Sequence, residues 1–211
     1  MLFSFVIVSV VGAFFATAYL HEDREREQAL TESVVAVERL FHQGLEKDSG
    51  LMQAALGAIA MNQRLKRAFL AGDRQGLLQI ALPLFEDFRL NHRITHFYFS
   101  GADRVNFLRV HKPDRYGDVI DRDTTLLARQ SKTGARGIEI GPLGTLTLRV
   151  VIPWYDGDKL IGYLELGEEI DHITQDIHNN IGTGLMVLVY ERFLDFKSWQ
   201  AGRKMLGHED E

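Results

Sequence analysis

The chain has 211 residues, no Cys and a formal charge of −5, with 45% hydrophobic residues. The missing Cys excludes a disulfide scaffold, a Cys-ligated metal centre, a thiol nucleophile and haem attached through C-x-x-C-H. The acidic balance argues against nucleic acid as a partner, and 19 Gly with 4 Pro exclude collagen-like or low-complexity character.

Residues 1–20, MLFSFVIVSVVGAFFATAYL, hold 16 apolar residues and no charged side chain; the first charge is Glu22. About 20 residues of helix reach roughly 30 Å, the thickness of a bilayer's hydrocarbon core. The stretch therefore reads as a transmembrane helix. The basic start of a cleaved signal peptide is missing, and the Ala13–Ala18 stretch offers only a weak cleavage signal. From Glu22 to Asp48 there are eight acidic and four basic residues. A segment not enriched in Lys and Arg is compatible with the outer face of the membrane.

From Glu22 to Lys47, Val34, Val37, Leu40, Phe41 and Leu45 recur at helical steps. This reads as an amphipathic stalk continuing the first helix, and as the natural surface for a homodimer. Asp48-Ser49-Gly50 reads as a helix stop, with a second helix over Leu51–Leu70 and a third from Asp73 to about Leu90 around Pro83. Strands follow: Ile94–Phe99, Val105–Val110, Gly137–Ile140, Thr145–Trp154, Leu160–Leu166 and Leu185–Tyr190. Gly141-Pro142-Leu143-Gly144 reads as a turn. Short helices are expected at Asp121–Gln130, Glu168–Asn180 and Asp195–Met205. The order predicts an α+β fold, a mainly antiparallel sheet with flanking helices.

Two polar clusters stand out. Period two places Phe107, Arg109 and His111 on one strand face, and the loop after them carries Tyr116, Asp118 and Arg122. An Arg and a His beside an aromatic suit a small anionic or polar ligand, because guanidinium forms bidentate bonds with carboxylates. The alternative is a solvated face, with Asp118 paired to Arg122 merely to fix the loop. In the long hairpin, Arg149 opposes an apolar face that carries Trp154. Tyr163 and Glu165 share the face of Arg149, where Arg149 and Glu165 are placed to pair across strands. A structural pair and a pocket lining are both compatible with that pattern.

Other chemistry is not supported. His92 and His96 have metal-ligand spacing only on a continuous helix, and the expected helix-to-strand change falls between them. No G-x-S-x-G, P-loop or H-E-x-x-H motif occurs, and Glu168-Glu169 reads as a helix start. No catalytic set, metal site or cofactor is expected.

The segments FLRVHKPDRYGDVIDRDT and GIEIGPLGTLTLRVVIPWYDGDKLIGYLELGEEIDHI, with the tail VLVYERFLDFKSWQAGRKMLG, resemble the extracytoplasmic Cache (PAS-like) sensor domains of bacterial receptors. The chain looks most like the double sensory domain of two-component sensor kinases, over roughly residues 25–207. The resemblance implies a transmembrane helix at 1–20, stalk and sensor helices at 21–92, a PAS-like module at 93–194 and a C-terminal helix and tail at 195–211. It implies a periplasmic sensor on the inner membrane, binding a small molecule and signalling by helix displacement. The pocket of such domains favours Arg109, His111, Tyr116, Asp118 and Arg122, with Arg149, Trp154, Tyr163 and Glu165 in second rank. Such receptors run on into a kinase, chemotaxis or cyclase output, so this chain is expected to be a sensing end without its output. The rival readings are a module that binds a periplasmic protein and a membrane-anchored hydrolase.

Overall fold

A continuous, Pro-free run of residues builds the longest element, helix α1, Leu2–Met61. The computed structural model describes residues 2–141, 145–190, 196–197 and 199–200, with backbone only for 2–11, 13 and 16. Among the described residues no helix is long and apolar enough to cross a membrane. The side chains of residues 2–11, on which the expected membrane helix rests, lie outside them.

The expected helix stop at Asp48-Ser49-Gly50 does not occur. Ser49 is buried and its hydroxyl donates back to the Glu46 carbonyl, so it serves the helix instead of capping a new one. Asp48 is held by His172. The break comes at Asn62, whose Oδ1 accepts from the amides of Arg64 and Leu65 and caps α2, Gln63–Leu70. Asp73 caps α3, Arg74–His92, in the same way, and Pro83 is accommodated inside it.

The sheet contains β1 (Ile94–Gly101), β2 (Asn106–Arg109), β3 (Ala135–Ile140), β4 (Leu146–Asp156) and β5 (Lys159–Glu169). Its order is β2-β1-β5-β4-β3, and every pairing is antiparallel. Helix α4, Asp123–Ser131, precedes β3, and α5, Asp171–Ile181, follows β5. Glu168-Glu169 thus ends a strand and does not start a helix. Residues 185–190 form no strand, and Met186 and Leu188 are exposed there. The expected terminal helix lies largely outside the described residues, as do residues 142–144 of the expected turn.

Strand alternation gives the sheet two faces. On one, Phe97, Phe99, Leu108, Val150, Trp154, Leu164 and Leu166 pack against Met52, Leu56 and Ile59 of α1, Leu65 of α2 and Leu77, Ala81 and Phe85 of α3. Each such side chain contributes about 1.5–3 kcal/mol on burial. Trp154 adds a tie, donating Nε1–H to the Ala60 carbonyl at 3.0 Å. A bulge opposite Phe99 and Ser100 inserts Phe107 as an extra residue in β2. Phe107 therefore leaves the face of Arg109 and meets the Phe69 ring at 5.2 Å in the core.

Gly162 sits where the strands leave no room for a side chain. It lies between Gly101 of β1 and Trp154 of β4, and a Cβ there would overlap the Ser100 carbonyl oxygen. Gly162→Ala is expected to destabilise the chain by about 1–3 kcal/mol, as overpacking does. Urea midpoints followed by circular dichroism in mild detergent would measure it; an unchanged midpoint would refute the close approach.

Candidate ligand site

The other face of the sheet is polar, and its rows follow from strand register. One row runs Arg109, Tyr98, Glu165, Val151, Ala135 from β2 to β3. The next runs His96, Gly167, Arg149, Gly137. The third pairs Glu169, Thr147 and Glu139. Gly167 has no side chain beside Arg149, and a Cβ there would press on Thr147 Cγ2 at 3.1 Å. The Arg149 side chain is fully buried along this face.

Arg149 donates to Glu165 Oε1 at 2.6 Å, the cross-strand partnership that alternation predicts. Arg122, from the start of α4, reaches the same carboxylate at 2.6 Å. Both guanidinium Nε atoms face Glu139 Oε2, at 3.3 and 3.4 Å. Glu139 Oε1 accepts from the Thr124 amide and hydroxyl, each at 2.8 Å, and so caps α4 from a neighbouring strand. Burial alone would raise the Glu165 pKa, but Arg122 and Arg149 outweigh it and hold the carboxyl below its usual range.

Arg109 does a different job. Its fork grips Asp118 at 2.7 and 2.6 Å and also donates to the Arg115 carbonyl. It clamps the loop after β2 over the sheet and holds the Asp118 carboxyl below its usual range. The loop is pinned further by Gly117 and Asn106, whose amides donate to the Asn106 and Asp118 carbonyls. The Tyr98 ring lies at the centre, with Arg122, Arg109 and Arg149 at 4.9, 5.3 and 5.9 Å from its centroid. Those distances are within cation–π range.

Between the sheet face and the loop opens a cleft of about 760 Å³. Among the described residues its lining has five cationic side chains, Arg89, Arg109, Lys112, Arg115 and Arg122, against three acidic ones, Asp118, Asp121 and Glu169. Burial raises the Glu169 pKa, with the Thr147 hydroxyl and Arg149 opposing it. His96 and His111 also line it, with ring centroids 4.7 Å apart. His111 Nδ1 accepts from the Phe97 amide at 3.2 Å, so a neutral His111 carries its proton on Nε2. Burial lowers the His96 pKa to about 2 and the His111 pKa to about 4, with the neighbouring guanidinium groups adding to it.

Of the residues singled out in the sequence, Arg109, His111, Asp118 and Arg122 line the cleft. Arg149 and Glu165 form the ion-paired floor next to it. Three others lie elsewhere. Tyr116 is exposed, under the Arg74 guanidinium at 3.5 Å. Trp154 belongs to the helix-packed face. Tyr163 packs with Val151 on Ala128 of α4. His96, Tyr98 and Glu169 were not singled out as ligand residues. Period two along β1 sets His96 and Tyr98 on one face, and that alternation was the signal available for them.

A histidine held below its unfolded value binds fewer protons when folded than when unfolded, between the two values. Stability contributed by neutral His111 is therefore complete above about 6.5 and lost as pH falls toward about 4. His111→Asn keeps an acceptor for the Phe97 amide and removes the titration. From pH 7 to pH 4 the wild type is expected to lose up to about 3 kcal/mol more stability than this variant. Parallel denaturation series would show it; identical losses would refute it.

The comparisons with known proteins agree with this architecture. The sensor domain of E. coli DcuS superposes with a TM-score of 0.50 at 23% identity, covering 62% of this chain and 97% of that one. The V. cholerae DctB histidine kinase sensor domain gives 0.50 at 14%, covering 66% of this chain and 58% of that one. The periplasmic domain of V. cholerae LuxQ gives 0.50 at 14% identity and 71% of both chains. At these identities the likeness concerns the fold. No protein of curated function matches the chain by sequence. The family described as the double sensory domain of two-component sensor kinase matches residues 25–209. The chain belongs to that family of Cache-type sensor domains.

Proposed function

We propose that the chain is the sensing segment of a bacterial membrane receptor, and that it binds a small anionic or polar ligand in the cleft over Tyr98. The observation that carries this is the cationic excess of the lining beside two imidazoles that burial keeps neutral. Neutral imidazoles donate hydrogen bonds without adding charge, and the guanidinium forks supply paired donors.

In this reading the ligand acts on α1 through the end of β5. Glu169 faces the cleft, while the adjacent Glu168 is buried on the opposite face beside Asp48 of α1 and His172 of α5. A small change at one is a change at the other. Ligand occupancy that favours one packing of α1 over another shifts the population accordingly. The apolar residues 1–20 would anchor the receptor in the inner membrane with the sensor outside. The exposed Leu30, Val34 and Val35 of α1 would face a second copy. The sensing output, whether kinase or chemoreceptor, belongs to other parts of such a receptor.

A thermal-shift screen of the chain in detergent, using small carboxylates and amino acids, tests the binding. At least one compound is expected to stabilise the chain. Arg122→Lys keeps the charge but loses the fork, and is expected to weaken that compound about tenfold or more. No stabilising compound, or unaltered affinity in Arg122→Lys, would overturn the assignment. The rival module that docks a protein predicts that outcome.

A further inference from the structure

A second constellation lies outside the cleft, where three elements meet. Asp48 of α1, Glu168 of β5 and His172 of α5 present one ligand atom each, all within 4.8 Å of one another. His172 Nε2 is 2.9 Å from Asp48 Oδ2 and 4.0 Å from Glu168 Oε1. An ion bound at about 2.1 Å separates neighbouring ligand atoms by roughly 3 Å and opposite ones by roughly 4 Å. Both distances from His172 Nε2 fall within that range.

Two observations separate this from a chance acidic cluster. Glu168 is only 3% exposed, and among the described residues no N–H or O–H donor is within hydrogen-bond distance of its Oε1, which faces His172 while Asp48 lies beside the carboxyl. A buried carboxylate oxygen of that kind calls for a donor or a cation. His172 Nδ1 lies 3.0 Å from the Glu169 carbonyl oxygen, which only a ring N–H satisfies. That bond fixes the ring and turns Nε2 toward the carboxylates, the outer contact typical of ligating histidines.

We propose that Asp48, Glu168 and His172 bind a first-row divalent cation, such as zinc, at the joint between the stalk helix and the sheet. One imidazole and two carboxylates suit a borderline metal better than magnesium or calcium, which take oxygen-only sets. Water completes the coordination. It enters from an adjoining cavity of about 220 Å³ that reaches Asp48 and His172. Lys47, Arg93 and Asp176 line the same cavity. The two cations oppose the ion and the extra acid favours it. The bound ion fastens α1 to β5 and α5 at one point. It adds a second input to the helix proposed to carry the ligand signal.

The test is calorimetric titration of the tag-free chain in detergent with zinc chloride, and with cobalt chloride read by visible absorption. One saturable site per chain is expected, with d–d bands on cobalt loading. His172→Gln and Glu168→Gln should each weaken zinc at least tenfold. His21→Gln, which removes a surface histidine paired with Glu25 at i,i+4, should leave it unchanged. Arg122→Lys should also leave it unchanged, which separates this site from the cleft. X-ray absorption of the zinc-loaded wild type should count one imidazole per metal, a readout that needs no variant to fold. No saturable binding, binding indifferent to both cluster variants, loss in His21→Gln, or an imidazole count other than one would overturn the proposal.

Discussion

Two guanidinium groups and two carboxylates on one face of the sheet, Arg149 and Glu165 buried and Arg122 and Glu139 half-buried, organise the sensory end of this molecule. Arg149 and Glu165 belong to β4 and β5, Glu139 to β3 and Arg122 to the entry of α4. Desolvating any one of these alone costs several kcal/mol, and together they compensate. The quartet therefore fixes where α4 can sit. Its position in turn sets one wall of the cleft, because Arg122 is shared between the quartet and the lining. Removing one member leaves its partner charged and buried. The expected result is loss of the α4 contact as well as loss of a charge.

The clamp at Arg109 works by the same logic at the other edge. A ligand-sized cleft needs a roof, and a loop of more than ten residues closes poorly unless something ties it down. Arg109 supplies the tie through Asp118 and the Arg115 carbonyl. The residue expected to hold the ligand thus also holds the loop over it. A carboxylate-bearing ligand would compete with Asp118 for one guanidinium, and loop position and occupancy become linked.

Much of this was legible from periodicity. Alternation along β4 and β5 separates an apolar face from one carrying Arg149 and Glu165, and the structure pairs them. The pattern could not reveal the bulge that sends Phe107 to the core, since an inserted residue shifts register without changing composition. Nor could it place Asp48. Asp-Ser-Gly is a helix stop in isolation, and the His172 that meets Asp48 inside the continuous helix lies 124 residues away. Tyr116 was attractive by neighbourhood alone. Loop direction is set by backbone bonds that no spacing rule encodes. His96 and Tyr98 were within reach of the same alternation rule that identified Arg109.

The uninterrupted passage of α1 through Asp48, Ser49 and Gly50 has a mechanical consequence. From Asp48 back to Leu20 a straight helix runs about 42 Å, so a tilt of about 2° at the sheet displaces the far end by about 1.5 Å. A helix broken at Gly50 would lose that gain in the hinge. In the proposed signalling, continuity would make the joint at Asp48 the fulcrum of a lever, beside the point where Arg136 of β3 holds Glu46 and Ser49.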